Sequence, residues 1–520
     1  MQLVLLGAGL ILMLLASNLY AASPLVFGAL VPILLYLDGG RRLQRLSRRR
    51  VVLGSWLVGL LFFLVTNSWL IQNDPSQWAQ LGGWPVVTGQ LLVWLAASAA
   101  FSAQFMLIGL ALLAVRRYGL RSWQAVVVLP SVWAIAEFLR SILTSVVLWG
   151  EGGTIGPTFN FGSLGLAASG TVAAYPARWL GLYGLSAMVV IVNIWIFRLL
   201  KGDRAALAGL LGVVAMVLVT RSMYAPPTEK IEAAVAQSQT DTDFGNNENL
   251  KKLADAASAV SRPVDVLVFG EYARFFAPGN EASKQRLLEA VNPEGVAVST
   301  GSETGSSERG QIAYRNTEGN ILDLQRKRFL IPAGEYLPAF LDVGLTVTGN
   351  DDLASGFRVN RGVIGSKKPE RPFRRGEVVY GTLECSGILQ SGPYRELANQ
   401  GANVLVNSGA AVILLNAPTF REQTKHMIRF QAVANARPFI HAAQGGNSAI
   451  LDAQGRFLYI SPDEQVRLGV AEIAPSSVRP PYVRFGEWTL GLWAILLAVL
   501  GVIRFKQNNA GRSRRGAAVR

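Results

Sequence analysis

Apolar segments long enough to cross a bilayer, about 17–25 residues, crowd the first 220 positions of this chain, and one more lies near its C-terminus. This distribution constrains the fold more than any other feature. Of the 520 residues, 51% are hydrophobic and the mean hydropathy is +0.31, too apolar for a soluble protein of this length. The stretch 226–485 differs. Its composition is ordinary for a globular domain, and it is long enough to bury its own core.

Eight spans are expected, near 3–20, 21–37, 51–71, 91–115, 124–147, 181–200, 205–221 and 488–503. The second, seventh and eighth are short. The first has an alternative reading as a signal peptide, because Leu19-Tyr20-Ala21-Ala22-Ser23 resembles a cleavage site. It lacks a basic start, which favours a retained span. The chain therefore divides into a seven-span part (1–225), a globular domain (226–485), and a last span with a basic tail (486–520).

The formal net charge of +15 invites a nucleic-acid reading, but its placement argues against one. Basic residues cluster at Arg41, Arg42, Arg45, Arg48, Arg49 and Arg50, at Arg116, Arg117 and Arg121, at Arg198, Lys201 and Arg204, and along the tail from Arg504 and Lys506 to Arg520. Counting spans puts all four clusters on one side, while the alternate loops near 72–90 and 148–180 carry almost none. Cytoplasmic loops are enriched in Lys and Arg. Both termini are thus expected inside, and the 226–485 domain on the extracytoplasmic side.

Cys385 is the only cysteine, so no intramolecular disulfide can form. It ends the run Val378-Val379-Tyr380-Gly381-Thr382-Leu383-Glu384, which reads as a buried strand entering a tight turn at Ser386-Gly387. Glu271 closes another buried strand, Val266-Leu267-Val268-Phe269-Gly270, and Lys327 precedes Phe329-Leu330-Ile331-Pro332. Together they supply a base, a cation and a thiol. Each also has a plain structural reading: an inert core thiol, a carboxylate at a helix N-terminus, a surface lysine in Arg326-Lys327-Arg328. Within the fifth span, Glu137 and Arg140 share one helix face, either as a structural pair or as a polar point beside a lipid headgroup. His426 and His441 lack convincing co-ligands for a metal, and no phosphate-binding glycine loop is present.

The globular stretch alternates strands and helices. Strands are expected at Ile231–Ala236, ending at Phe269, at Gly295–Thr300, before Cys385 and at Asn403–Val406. Hairpins are expected at Gln311–Arg315 with Asn320–Gln325, and at Ser448–Asp452 with Arg456–Ile460. Helices fall near 246–260, 281–291, 393–400 and 420–436. This pattern predicts a layered α/β domain with helices covering the sheets.

The order Glu271, Lys327, Cys385 on such a domain resembles the nitrilase, or carbon–nitrogen hydrolase, superfamily. With eight spans around it, the chain resembles the apolipoprotein N-acyltransferase family. The most specific motif is Lys327-Arg328-Phe329-Leu330-Ile331-Pro332-Ala333-Gly334-Glu335-Tyr336-Leu337-Pro338, with its Pro-x-Gly-Glu-aromatic-x-Pro continuation. Glu137-Phe138-Leu139-Arg140 and Leu182-Tyr183-Gly184-Leu185-Ser186 also look like family signatures. Arg437-Pro438 and Gly445-Gly446-Asn447-Ser448 sit where the family has a helix end and the following strand. The chain departs from the family at several points. Gly270 replaces a usual proline, and Ser386 and Gly387 replace an aromatic and a glutamate. Asn407-Ser408-Gly409-Ala410-Ala411 stands for Asn-Asp-Ala-Trp-Phe, and Gln237-Ser238-Gln239 is a reduced Gln-Gly-Asn element.

The resemblance implies a multi-pass helical membrane domain joined to an α-β-β-α sandwich. It implies catalysis by Glu271, Lys327 and Cys385, with Glu335 orienting the lysine or moving protons. It implies a membrane phospholipid as acyl donor, an apolipoprotein as acceptor, a thioester on Cys385, and neither cofactor nor metal. A monomer in the bacterial inner membrane is expected, with no nucleic-acid partner. Phe159-Asn160-Phe161 and Ala354–Phe357 are candidates for a lipid entrance or for ordinary interface anchors. The alternatives are a membrane-tethered amidase, a catalytically decayed lipid-binding module and, more remotely, a transporter.

Overall fold

A computed structural model describes residues 2–39, 42–72, 84–224, 227–239, 247–276, 280–301, 310–360, 363–410, 417–462 and 464–517. Among them, seven helical segments are long and apolar enough to cross a membrane: Tyr20–Asp38, Arg48–Thr66, Val87–Val115, Trp123–Val147, Ala177–Leu200, Ala205–Ser222 and Thr489–Gln507. The expected first span is a shorter apolar helix, Leu3–Asn18. It stops where the Asn18 amide turns back to donate to the Leu14 carbonyl at 2.9 Å. Serines start two of the long helices: Ser47 accepts from the Arg50 N–H and Ser122 from the Ala125 N–H, satisfying donors that a helix start leaves free.

The basic loops meet at one end of this bundle. Asp38 pairs with Arg121 at 3.4 Å and with Lys201 at 3.2 Å. Arg116 donates to the Leu46 carbonyl at 2.9 Å, and the Arg504 guanidinium lies over the Tyr118 ring. Loops far apart in sequence are thus tied together on the side that span-counting assigns to the positive charge.

The opposite end carries the α/β sandwich. Its strands are β1 (Ile231–Gln237), β2 (Val264–Phe269), β3 (Val291–Thr300), β4 (Gln311–Arg315), β5 (Ile321–Arg326), β6 (Phe373–Arg375), β7 (Val378–Glu384), β8 (Val404–Ala410), β9 (Phe439–Gln444), β10 (Ala449–Leu451), β11 (Phe457–Ile460) and β12 (Arg467–Ile473). They form two six-stranded sheets, ordered β12-β1-β2-β3-β4-β5 and β11-β10-β9-β8-β7-β6. In each sheet the three central strands run parallel and the outer ones antiparallel. Side chains alternate along a strand, and this sorts the core. Val266, Val268, Val296, Val404, Val406 and Ile440 fill the space between the sheets. Leu267, Phe269 and Ala297 face outward, packed with Leu250, Leu253 and Leu287 of helices Asn247–Ser258 and Glu281–Glu289. Leu383, Leu405 and Phe439 share a core with Met427 and Ile428 of helix Pro418–Asn435 and with the membrane helices.

The fold class matches the expected α-β-β-α sandwich on a multi-pass helical base. Some elements were not read from the sequence: β6, β9, β12, and the helices Ala339–Val347 and Asp351–Asn360. β12 pairs antiparallel with β1, Ile473 opposite Ile231. The expected strand at Asn403–Val406 runs on to Ala410.

Helix Pro418–Asn435 locks the two parts together. Gln423 donates to Asn18 Oδ1 at 2.7 Å and to the Thr66 carbonyl at 2.9 Å. Arg178, fully buried at the start of a membrane helix, donates to the carbonyls of Val433, Thr220 and Ala453. A second strap joins the end of helix Trp123–Val147 to the segment after Lys327. Tyr336 donates to the Leu148 carbonyl at 2.7 Å, and the Ala339 N–H to the Trp149 carbonyl at 2.8 Å.

Candidate active site

The site lies where the parallel strands of both sheets end. β2 stops at Phe269, and the chain turns so that Glu271 heads into the sandwich. β7 stops at Glu384, and Cys385 opens a 3-10 turn, Cys385–Leu389, with a positive φ of 40°. Such a φ is strained for a residue with a side chain, and strain of this kind gathers at functional sites. Asn407 of β8 holds the turn, its amide donating to the carbonyls of Leu383 at 3.1 Å and Cys385 at 3.4 Å. His441 contacts the other end of that amide at 2.9 Å, so it steadies Asn407 and needs no metal. Lys327 follows β5 and is anchored by its backbone N–H on the Gly310 carbonyl at 2.7 Å.

These side chains converge. Lys327 Nζ lies 3.2 Å from Glu271 Oε1 and 2.7 Å from Glu335 Oε1. Glu335 Oε2 accepts the Ile331 N–H at 2.8 Å, and Glu271 Oε2 accepts the Ala410 N–H at 3.0 Å. Gly409 sets Cys385 beside them: its carbonyl accepts the Glu271 N–H at 3.3 Å, and a Cβ built on it would lie 3.9 Å from the Cys385 Cα. Glu271 and Lys327 are each 1% exposed and Glu335 8%, whereas Cys385 is only partly buried. Lys327 is therefore no surface residue. Glu271 sits in a loop rather than at a helix start.

Burial shapes the proton affinities. Burial alone would lower the Lys327 ammonium, but Glu271 and Glu335 outweigh it and hold the lysine well above its ordinary value. Burial raises Glu335 against the pull of Lys327. Burial and the Glu271 carboxylate push Cys385 well above the usual thiol range, and Lys327 only partly opposes them.

Sequence reasoning missed one member of the cluster, Glu384. It is 1% exposed, and neither carboxyl oxygen has a hydrogen-bond partner among the described residues. The only local signal was its place beside Cys385 at a strand end. Two departures from the family have a steric basis. A Cβ at Gly270 would lie 3.0 Å from the Gln444 N, where β2 and β9 end close together. A Cβ at Gly387 would lie 2.6 Å from the Leu383 Cβ, so the turn has no room for a larger residue there. Ser408, where the family has aspartate, accepts or donates to Thr300 Oγ1 at 2.6 Å and donates to the Phe269 carbonyl at 2.7 Å, tying the sheets together. Ala411 lies outside the described residues.

Other candidates resolve differently. Glu137 accepts from Trp133 Nε1, the Leu164 N–H and Ser186 Oγ, all inside the bundle. Arg140 donates to the Phe159 and Phe161 carbonyls and Ser163 Oγ. Phe161 is buried against Trp69 and Phe420, so Phe159-Asn160-Phe161 is an internal anchor and not a lipid entrance. Residues Ala354–Phe357 lie on helix Asp351–Asn360, in a helix pair that exposes Phe340, Val343, Val347, Leu353 and Val359. His426 is buried and packs on Tyr20.

Residues 8–195 match the apolipoprotein N-acyltransferase N-terminal domain, and residues 232–481 match carbon–nitrogen hydrolase. The chain belongs to the apolipoprotein N-acyltransferase family. The apolipoprotein N-acyltransferase of Caulobacter vibrioides is 24% identical over 483 residues, covering 87% of this chain and 82% of its own. That of Gloeobacter violaceus is 25% identical over 510 residues, covering 94% and 91%. A crystal structure of carbon–nitrogen hydrolase from Helicobacter pylori covers 49% of this chain and 92% of its own, at 18% identity and a TM-score of 0.35.

Proposed function

We propose that this chain N-acylates the lipid-modified N-terminal cysteine of apolipoproteins, with a membrane phospholipid as acyl donor and a thioester on Cys385 as intermediate. The observation that carries this reading is the convergence of Cys385, Glu271 and Lys327 at one end of the sandwich, strapped to the end of a membrane helix.

In the first half-reaction Glu271 takes the thiol proton as sulfur attacks the ester carbonyl. The oxyanion that forms faces the Lys327 ammonium and the backbone N–H after Cys385. The intermediate collapses, the ester C–O bond breaks, and Glu271 protonates the departing lysophospholipid. In the second, Glu271 takes a proton from the acceptor α-amine as nitrogen attacks the thioester. The C–S bond breaks, and that proton returns to sulfur. Glu335 keeps Lys327 in place.

Three further assignments belong to this reading. The membrane part (1–225), the catalytic domain (226–485) and the C-terminal span with its tail (486–520) act as a monomer in a bacterial inner membrane. The catalytic domain faces the extracytoplasmic side, opposite the basic loops. The apolar residues exposed on helices Ala339–Val347 and Asp351–Asn360 meet the lipid, which favours a lipid substrate over the soluble amide of an amidase. The test is complementation of an acyltransferase-depleted bacterium, with intact mass spectrometry of the purified protein. Rescue, and a hydroxylamine-labile acyl adduct lost in Cys385→Ala, are the expected results. Rescue by Cys385→Ala sinks the proposal.

A further inference from the structure

Glu384 is a buried acid that the mechanism above does not use. It shares the face of β7 with Tyr380 and Thr382, toward the space between the sheets. Neither of its oxygens accepts a hydrogen bond from a described residue. β7 sets it opposite Ser408, whose hydroxyl donates to the Phe269 carbonyl two residues before Glu271, and the Glu271 carboxyl is close enough to raise its proton affinity. The charged and titratable groups facing this point are Glu271, Lys327, Glu335, Cys385 and Tyr272.

Counting charge settles what such closeness requires. Among the described residues, three carboxyls and one ammonium occupy the site. Glu271 and Glu335 each receive the lysine and a backbone N–H. Glu384 receives nothing. An ionised carboxylate without donors in a buried site is strongly disfavoured, and two carboxyls touch only with a proton between them.

We propose that Glu384 is a positioning residue that carries a proton at neutral pH and donates it in a hydrogen bond to Glu271. The bond keeps Glu271 ionised, aimed at the thiol, and it lets the site hold two negative charges instead of three. Burial, which raises Glu384 well above the carboxylate range, agrees. The inference rests on the reading of Glu271 as the base, but its test needs no acyl transfer.

The first measurement is infrared difference spectroscopy of the full chain in detergent, wild type against Glu384→Gln. A protonated-carboxyl stretch present at neutral pH and lost in the variant is expected; its absence from the wild type, or its persistence in the variant, overturns the proposal. The second is the pH dependence of iodoacetamide alkylation, which reports Cys385 alone because it is the only cysteine. Glu384→Gln keeps a donor and no charge, so the acid limb stays in place. Glu384→Leu removes the donor, so Glu271 gains proton affinity and the limb moves to higher pH. A limb that moves to lower pH in Glu384→Gln shows that Glu384 was ionised and overturns the proposal. Complementation by Cys385→Ala bears only on the acyltransferase reading, so the two fail separately.

Discussion

Two clusters of buried charge divide this molecule, and they are built from similar residues with opposite degrees of satisfaction. In the membrane bundle, Glu137 accepts three hydrogen bonds, and Arg140 gives its terminal nitrogens to two carbonyls and a serine. Only the Arg140 Nε lacks a partner among the described residues of that cluster. In the sandwich, three carboxyls compete for one ammonium, a thiol lies beside them, and the Glu384 oxygens receive no donor among the described residues. Buried charge alone therefore does not mark chemistry. A buried cluster short of partners beside a nucleophile does, because its protons are held loosely enough to move.

The sharpest way to break that contrast is Cys385→Ala. Acyl transfer should fall by at least about 10³-fold, with thermal stability little changed, as in vitro transfer to a lipopeptide and a melting curve would show. Lys327→Met removes the ammonium that both Glu271 and Glu335 contact. We expect a loss of about 10²–10³-fold in transfer and slower alkylation of Cys385, since the pull that opposes its high proton affinity is gone. Glu137→Ala should behave in the reverse manner. Leaving the Trp133, Leu164 and Ser186 donors buried without their acceptor costs about 1–3 kcal/mol each, seen as a lower melting temperature, while the folded fraction stays active. An inactive but fully stable Glu137→Ala would erase the distinction between the clusters.

Smaller effects sharpen it. Gly387→Ala forces a methyl against Leu383 and should cost about 1–3 kcal/mol, with transfer reduced because the Cys385 turn shifts. Alkylation of wild-type Cys385 should rise with pH through and beyond the usual thiol range. The sign follows from burial and Glu271, which favour the neutral thiol; a rate already at its plateau in neutral buffer would show a preformed thiolate instead.

The lysine segment was legible because its chemistry is local. Lys327, Glu335 and Tyr336 lie within ten residues of one another, and Lys327 Nζ donates to Glu335 across that short segment. The spans were legible for a similar reason, since transfer to lipid depends on the composition of a contiguous stretch. β12 was not legible. Its run Arg467–Ile473 is only partly buried, so it lacks a strong apolar pattern, and its partner β1 lies more than two hundred residues away. The helix pair Ala339–Asn360 escaped for a related reason: its apolar face is exposed, so no alternation with a core announced it.

From the sequence alone came the membrane-embedded base, the layered class of the domain, and the short motifs that hold Glu271, Lys327, Glu335 and Cys385, all carried by local composition or spacing. Only the tertiary structure decided that Glu271 and Glu335 meet the one ammonium of Lys327, and that Glu384 turns inward, buried between the sheets. Those outcomes depend on how two sheets stack and on how far water is excluded between them. The energy of a charge is set by the neighbours that folding brings from distant parts of the chain.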